Sequence, residues 1–222
     1  MSTDELARIA VTAVLGVAVG VVAARWLRSQ AYRYADEQDL PSRRTGWVVV
    51  ACAVLPTLMV LAWPQDPVAV VYAVSTVALV VLAAIDIDVF RLPDVITKPM
   101  ALALVVALLA VALLTGDTDP WVRALLAGAG LGFCYLVLVF IGGGAGMGLG
   151  DAKLALSLGM LLGYQSWSHV VLGSMASFLL AGIAAIYLVL FRGAGRKSHL
   201  AFGPYLVAGT ILVLVLPAIG RT

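Results

Sequence analysis

Apolar residues in this chain gather into long runs separated by short polar connections. Most runs are about 17–22 residues long, the length that crosses a bilayer as a helix; the alternating strands of a membrane barrel are about 9–11 residues. Eight runs are legible, at about 7–24, 47–63, 68–85, 97–114, 121–141, 152–163, 170–191 and 202–219. The sixth is short, and is expected to span only part of the bilayer or to extend with its neighbours. The pattern predicts an all-α, polytopic transmembrane bundle of about eight spans. No linker long enough for a second domain interrupts it, so residues 1–222 are expected to form one integral-membrane domain.

Composition narrows the class further. Of 222 residues, 63% are hydrophobic and 12% charged, and the mean hydropathy is +1.06. A soluble domain carries about twice that share of charge. A soluble enzyme, a disordered chain and a nucleic-acid binder with a basic face are therefore excluded. Cys52 and Cys134 both lie deep in apolar runs and are expected to be small buried hydrophobes, which leaves no cysteine framework for a disulfide scaffold or a four-cysteine metal site. His169 and His199 are far apart and have no neighbours at ligand spacing.

Charge sets the expected orientation. The net charge is only +2, but eleven of the fourteen Lys and Arg fall in alternate connections: 25–46, 86–98, 142–153 and 192–201. Arg8, Arg123 and Arg221 are on the other side. By the positive-inside rule those four connections face the cytoplasm, and both termini face outward. Trp26, Trp47, Trp63, Trp121 and Trp167 all fall near predicted span ends, as an interfacial belt requires. The first run is preceded by Asp4 and Glu5 and followed by Arg25 and Arg28, the reverse of a cleavable signal.

Carboxylates at span ends are costly and therefore informative. One site is Ile85-Asp86-Ile87-Asp88-Val89-Phe90-Arg91-Leu92-Pro93-Asp94, in which Asp86 closes a long apolar run and Pro93 breaks any continuing helix. The other is the stretch from Gly142 to Lys153, where six of the nine residues 142–150 are glycine and Asp151 opens the next run. Such a stretch favours a loop over a helix. Its glycine spacing fits neither a P-loop nor a dinucleotide fingerprint. The topology places Asp86 and Asp151 on one side of the membrane. Two carboxylates brought together there provide a general acid and a general base for water. A proton relay in a transporter and a non-catalytic scaffold remain open on these residues alone.

The motifs carry a resemblance. I-D-x-D-x-x-x-L-P-D at 85–94 and G-x-G-D-x-K at 148–153 resemble those of the bacterial type IV prepilin peptidases, which belong with the G-x-G-D intramembrane aspartyl proteases. Phe202-Gly203-Pro204-Tyr205 is similar to the start of that family's last span. The resemblance covers about residues 47–219. It implies a membrane aspartyl endopeptidase with Asp86 and Asp151 as the catalytic pair. Gly148, Gly150, Asp88, Asp94 and Lys153 become candidates for substrate binding. Asp88 would face away from Asp86 as a solvated or motif-shaping carboxylate, Asp94 would cap the turn after Pro93, and Lys153 would meet a lipid headgroup or a loop. The implied substrates are prepilins or pseudopilins, cleaved at the cytoplasmic face of the plasma membrane. No metal or organic cofactor and no nucleic acid is implied. Many relatives carry two C-x-x-C pairs, linked to N-methylation, in a domain after the first span. The matching 25–46 connection has no cysteine, so peptidase activity without methyltransferase activity is expected.

Overall fold

The computed structural model describes residues 3–41, 43–141, 147–192 and 201–219. Among them the chain forms eight α-helices and no strand. These are α1 (Thr3–Arg28), α2 (Gly46–Ala62), α3 (Val68–Val89), α4 (Asp94–Thr115), α5 (Asp119–Ile141), α6 (Leu149–Gln165), α7 (Trp167–Arg192) and α8 (Gly203–Ile219). Each apolar run corresponds to one helix. Five of the helices (α1, α3, α4, α5 and α7) are long and apolar enough to cross a membrane, and α2 and α8 are shorter apolar helices. All five tryptophans sit in the first or last turns of helices or immediately beyond them.

Helix α6 accounts for the short sixth run. Its 17 residues rise about 25 Å, and nearly all of them from Asp151 to Tyr164 are buried. It packs on α4, α5, α7 and α8. Enclosed by protein, it does not need the continuous apolar surface that lipid demands of an outer helix. Helices α1 and α7 are the opposite case, long and largely exposed on the outside of the bundle. Cys52 is buried, but Cys134 is exposed on α5, contrary to expectation: an apolar run facing lipid can place a thiol outward as readily as inward.

Small residues bring α5 and α6 together, as they do between helices that lack a hydrophobic driving force in lipid. A Cβ added at Gly159 would stand 2.7 Å from the Ala127 carbonyl oxygen and 2.8 Å from the Gly128 Cα. Both obstacles are backbone and cannot swing away. Gly159→Ala is therefore expected to cost about 1–3 kcal/mol, read as a lower Tm in detergent. An unchanged Tm would show that the interface has slack.

Helices α3 and α6 are tied at one end. The Tyr72 hydroxyl donates to the Leu161 carbonyl at 3.1 Å and accepts from Gln165 Nε2 at 2.8 Å. The start of α3 thus lies beside the end of α6, and the two run in opposite directions. Asp86 is fourteen residues after Tyr72, and Asp151 is fourteen residues before Gln165. Each interval rises about 21 Å and makes nearly four whole turns. Both carboxylates are thereby brought to the same level, at the opposite end of the bundle from the tyrosine.

Candidate active site

Helix α3 continues one turn beyond the predicted apolar run and ends at Phe90. Phe90 has φ 52° and ψ 36°, and its N–H donates to the Asp86 carbonyl at 2.9 Å. A left-handed conformation at a bulky residue costs about 1–2 kcal/mol. It turns the chain into Arg91-Leu92-Pro93, and Pro93, with extended backbone, starts α4. Asp86 and Asp88 therefore lie on a helix, roughly 200° apart around its axis, and reach different partners.

The Asp86 side chain is buried and faces α8, where Oδ2 accepts the Gly203 backbone N–H at 2.9 Å. Gly203 leaves room for this contact, since a Cβ there would stand 2.8 Å from the same oxygen. Asp151 is buried in the first turn of α6. Its Oδ2 accepts the Gly148 N–H at 2.9 Å. Gly150 packs on Leu92 and Lys153 pairs with Asp94, so the two motifs, although their aspartates Asp86 and Asp151 are 65 residues apart in sequence, lie side by side. In each carboxylate one oxygen is fixed by a glycine amide. Among the described residues no further hydrogen bond to either Oδ1 occurs. Each carboxylate so held keeps Oδ1 available to exchange a proton with water.

The remaining candidates take structural positions around this pair. Gly148 has φ −90°, a conformation open to any residue, so its hydrogen bond to Asp151 does not depend on its being glycine. Gly150 packs against the turn after α3, where a Cβ would meet Leu92 Cβ at 3.0 Å. Residues 142–146, most of the expected glycine loop, lie outside the described residues, as do Arg196, Lys197 and His199.

Asp94 makes no capping hydrogen bond at the start of α4. It bridges two lysines instead, Lys98 at 2.7 Å and Lys153 at 2.5 Å. Lys153 accordingly meets a carboxylate, where a lipid headgroup or a loop was expected. The pair joins the L-P-D segment to the first turn of α6, beside the carboxylates, and lies partly open to solvent.

Asp88 is not solvated. Arg33 of the 25–46 connection approaches it with Nε at 2.9 Å from Oδ2 and Nη2 at 2.9 Å from Oδ1. Tyr32 donates its hydroxyl to Oδ2. Burial, reinforced by the hydrogen bond to Asp88, pushes the Tyr32 phenol up to about 12, so it remains a donor at neutral pH. The connection is fastened again by Glu37, which pairs with Arg91 at 2.8 Å. Hydrogen bonds from Arg91 hold the Glu37 carboxyl below the usual range.

Sequence reasoning did not assign two residues near the pair. Gly203 belongs to a quoted motif, but its amide's role follows only from the fold. Tyr135 on α5 is buried against Phe178 and Phe202, the latter next to Gly203 in the chain. A lone tyrosine in an apolar run is the one signal it offered. Among the described residues no three His, Cys, Asp or Glu side chains come together as a metal site requires.

Comparison with curated proteins and with solved structures gives no match. The family model of the type IV leader peptidases matches residues 73–190, just over half of the chain and all of both acidic motifs. The chain belongs to the type IV leader peptidase family and is a multi-pass membrane peptidase.

Proposed function

We propose that this protein removes the short basic leader from prepilin or pseudopilin precursors at the cytoplasmic face of the plasma membrane, with Asp86 and Asp151 as its catalytic pair. The observation that carries this reading is the convergence of two carboxylates from separate motifs at one end of the bundle, each with Oδ2 on a glycine amide. In the reaction, one carboxylate takes a proton from water as the water oxygen attacks the scissile carbonyl carbon. The other donates a proton to the carbonyl oxygen. In the collapse of the tetrahedral intermediate the first carboxyl gives the proton it took from water to the leaving nitrogen, the C–N bond breaks, and an intermediate hydroxyl returns its proton to the second carboxylate. The positive-inside charge pattern supports the cytoplasmic placement. The apolar substrate helix stays in the membrane while its leader remains in the cytoplasm.

Co-expression with a prepilin, in a host whose own peptidase is deleted, tests the activity. Mass spectrometry should show leader loss and a free α-amino group on the new N-terminus. An uncut precursor refutes the peptidase assignment for that substrate class. One added methyl group refutes the expectation drawn from the cysteine-free 25–46 connection.

Gly203→Ala tests the amide contact. The new methyl group must push the Asp86 carboxylate aside, and a displacement of about 1 Å at a reacting group costs about a hundredfold in rate. Cleavage should fall by that order with little change in Tm. Full activity would show that the Gly203 contact does not position Asp86.

A further inference from the structure

A second concave site lies on the other face of α3. Its polar part is a cavity of about 100 Å³ where the last turns of α1 and α3 meet the first turn of α2. Arg33 and Asp88 form part of its lining and neutralise each other. The donors of Arg33 are spent on Asp88 and on the carbonyls of Glu37, Leu40 and Pro41. Arg28, Arg43 and Arg44 also line the cavity. Among the described residues none of these three has an acidic partner. Three arginines without an acidic partner among the described residues thus line the cavity, and the planar fork of a guanidinium suits phosphate oxygens.

Its position adds a second requirement. Trp47 and Ile87 line this cavity and also an apolar groove of about 480 Å³ between α2, α3 and α8. On α2 the groove extends from Trp47 to Leu58, a rise of about 16 Å. A polar, cationic cavity therefore lies directly beside an apolar groove running along the bundle, with Trp47 and Ile87 common to both. A free anion would satisfy only the first part, and an apolar helix only the second.

We propose that the arginine cavity and the adjoining groove form one binding site for an anionic phospholipid, with the phosphodiester among Arg28, Arg43 and Arg44 and an acyl chain along α2 and α8. The site is separate from the carboxylate pair, although Ile87 in its wall directly follows Asp86. The inference does not depend on the proposed substrate.

The full-length protein, delipidated in non-ionic detergent, can be titrated with short-chain phosphatidylglycerol while Tm is followed. Phosphatidylglycerol should raise Tm saturably. Phosphatidylcholine of the same chain length, and inorganic phosphate at equal concentration, should do so far less. Each basic residue near an anionic headgroup contributes about fivefold in affinity. Arg43→Gln with Arg44→Gln should therefore raise the half-saturating concentration about 25-fold. Ala208→Trp should block the apolar half and weaken phosphatidylglycerol binding without creating a response to phosphate. Arg25→Gln, in the same connection but outside the cavity, should change little. Four results would overturn the site: no saturable response; an Arg25→Gln effect equal to that of the pocket variants, which means a diffuse basic surface; a full response to inorganic phosphate, which means a simple anion pocket; or displacement of phosphatidylglycerol by a prepilin peptide, which assigns the groove to substrate.

Discussion

Asp86→Asn and Asp151→Asn are each expected to lower leader cleavage by about a thousandfold or more, with expression and membrane insertion as in the parent chain. Asn keeps the shape of the side chain, and its carbonyl oxygen still accepts the amide of Gly203 or Gly148. What it loses is proton exchange. The double variant should be no worse than either single one, because residues that act as a unit are not additive. The measurement is cleavage of a purified prepilin in detergent or nanodiscs, with Tm recorded on the same samples. Appreciable cleavage by either single variant would remove that residue from the catalytic pair.

Breaking the Arg33–Asp88 pair should be the most damaging change to stability. The two side chains are 0% and 4% exposed. Asp88→Ala leaves a buried guanidinium without its carboxylate, and Arg33→Ala leaves the converse, each at a cost of about 3–5 kcal/mol. Replacing both partners by apolar residues, Arg33→Met with Asp88→Leu, should recover much of the loss, because neither buried charge is then stranded. Chemical denaturation in detergent micelles measures all three. A normal transition for Asp88→Ala would mean that the pair does not hold the 25–46 connection. Asp88→Asn should reduce cleavage only modestly. Complete loss of cleavage with an intact fold would instead move the catalytic role from Asp86 to Asp88.

The helices were legible because lipid and protein interior both demand apolar residues over a bilayer's length, and hydropathy measures that demand directly. It cannot see what makes a polar residue tolerable. The third run ended at Ile85 by hydropathy, yet α3 continues to Val89 because Gly203 and Arg33 satisfy Asp86 and Asp88. Those partners are 117 and 55 residues away. The Asp94–Lys153 pair, 59 residues apart, is equally invisible to spacing within one motif. Local rules predicted a cap for Asp94 and a surface role for Lys153, whereas the fold placed them beside each other. Asp86 and Asp151 stood out because a carboxylate in an apolar context is conspicuous whatever its partner. Tyr135 and Gly203 did not, since an aromatic residue and a glycine are ordinary in a membrane span.

The Tyr72 tie makes α3 and α6 a matched pair of rulers. Inserting a single residue between Tyr72 and Asp86 would rotate one carboxylate by about 100° and shift it by about 1.5 Å along the axis. The same insertion between Asp151 and Gln165 would do the equivalent to the other. Either change would separate the pair without altering any side chain that lines it. Equal insertions in both helices would restore the level but leave both carboxylates turned away from their glycine amides. Across these two stretches the number of residues, more than the identity of any exposed side chain, fixes where the carboxylates stand.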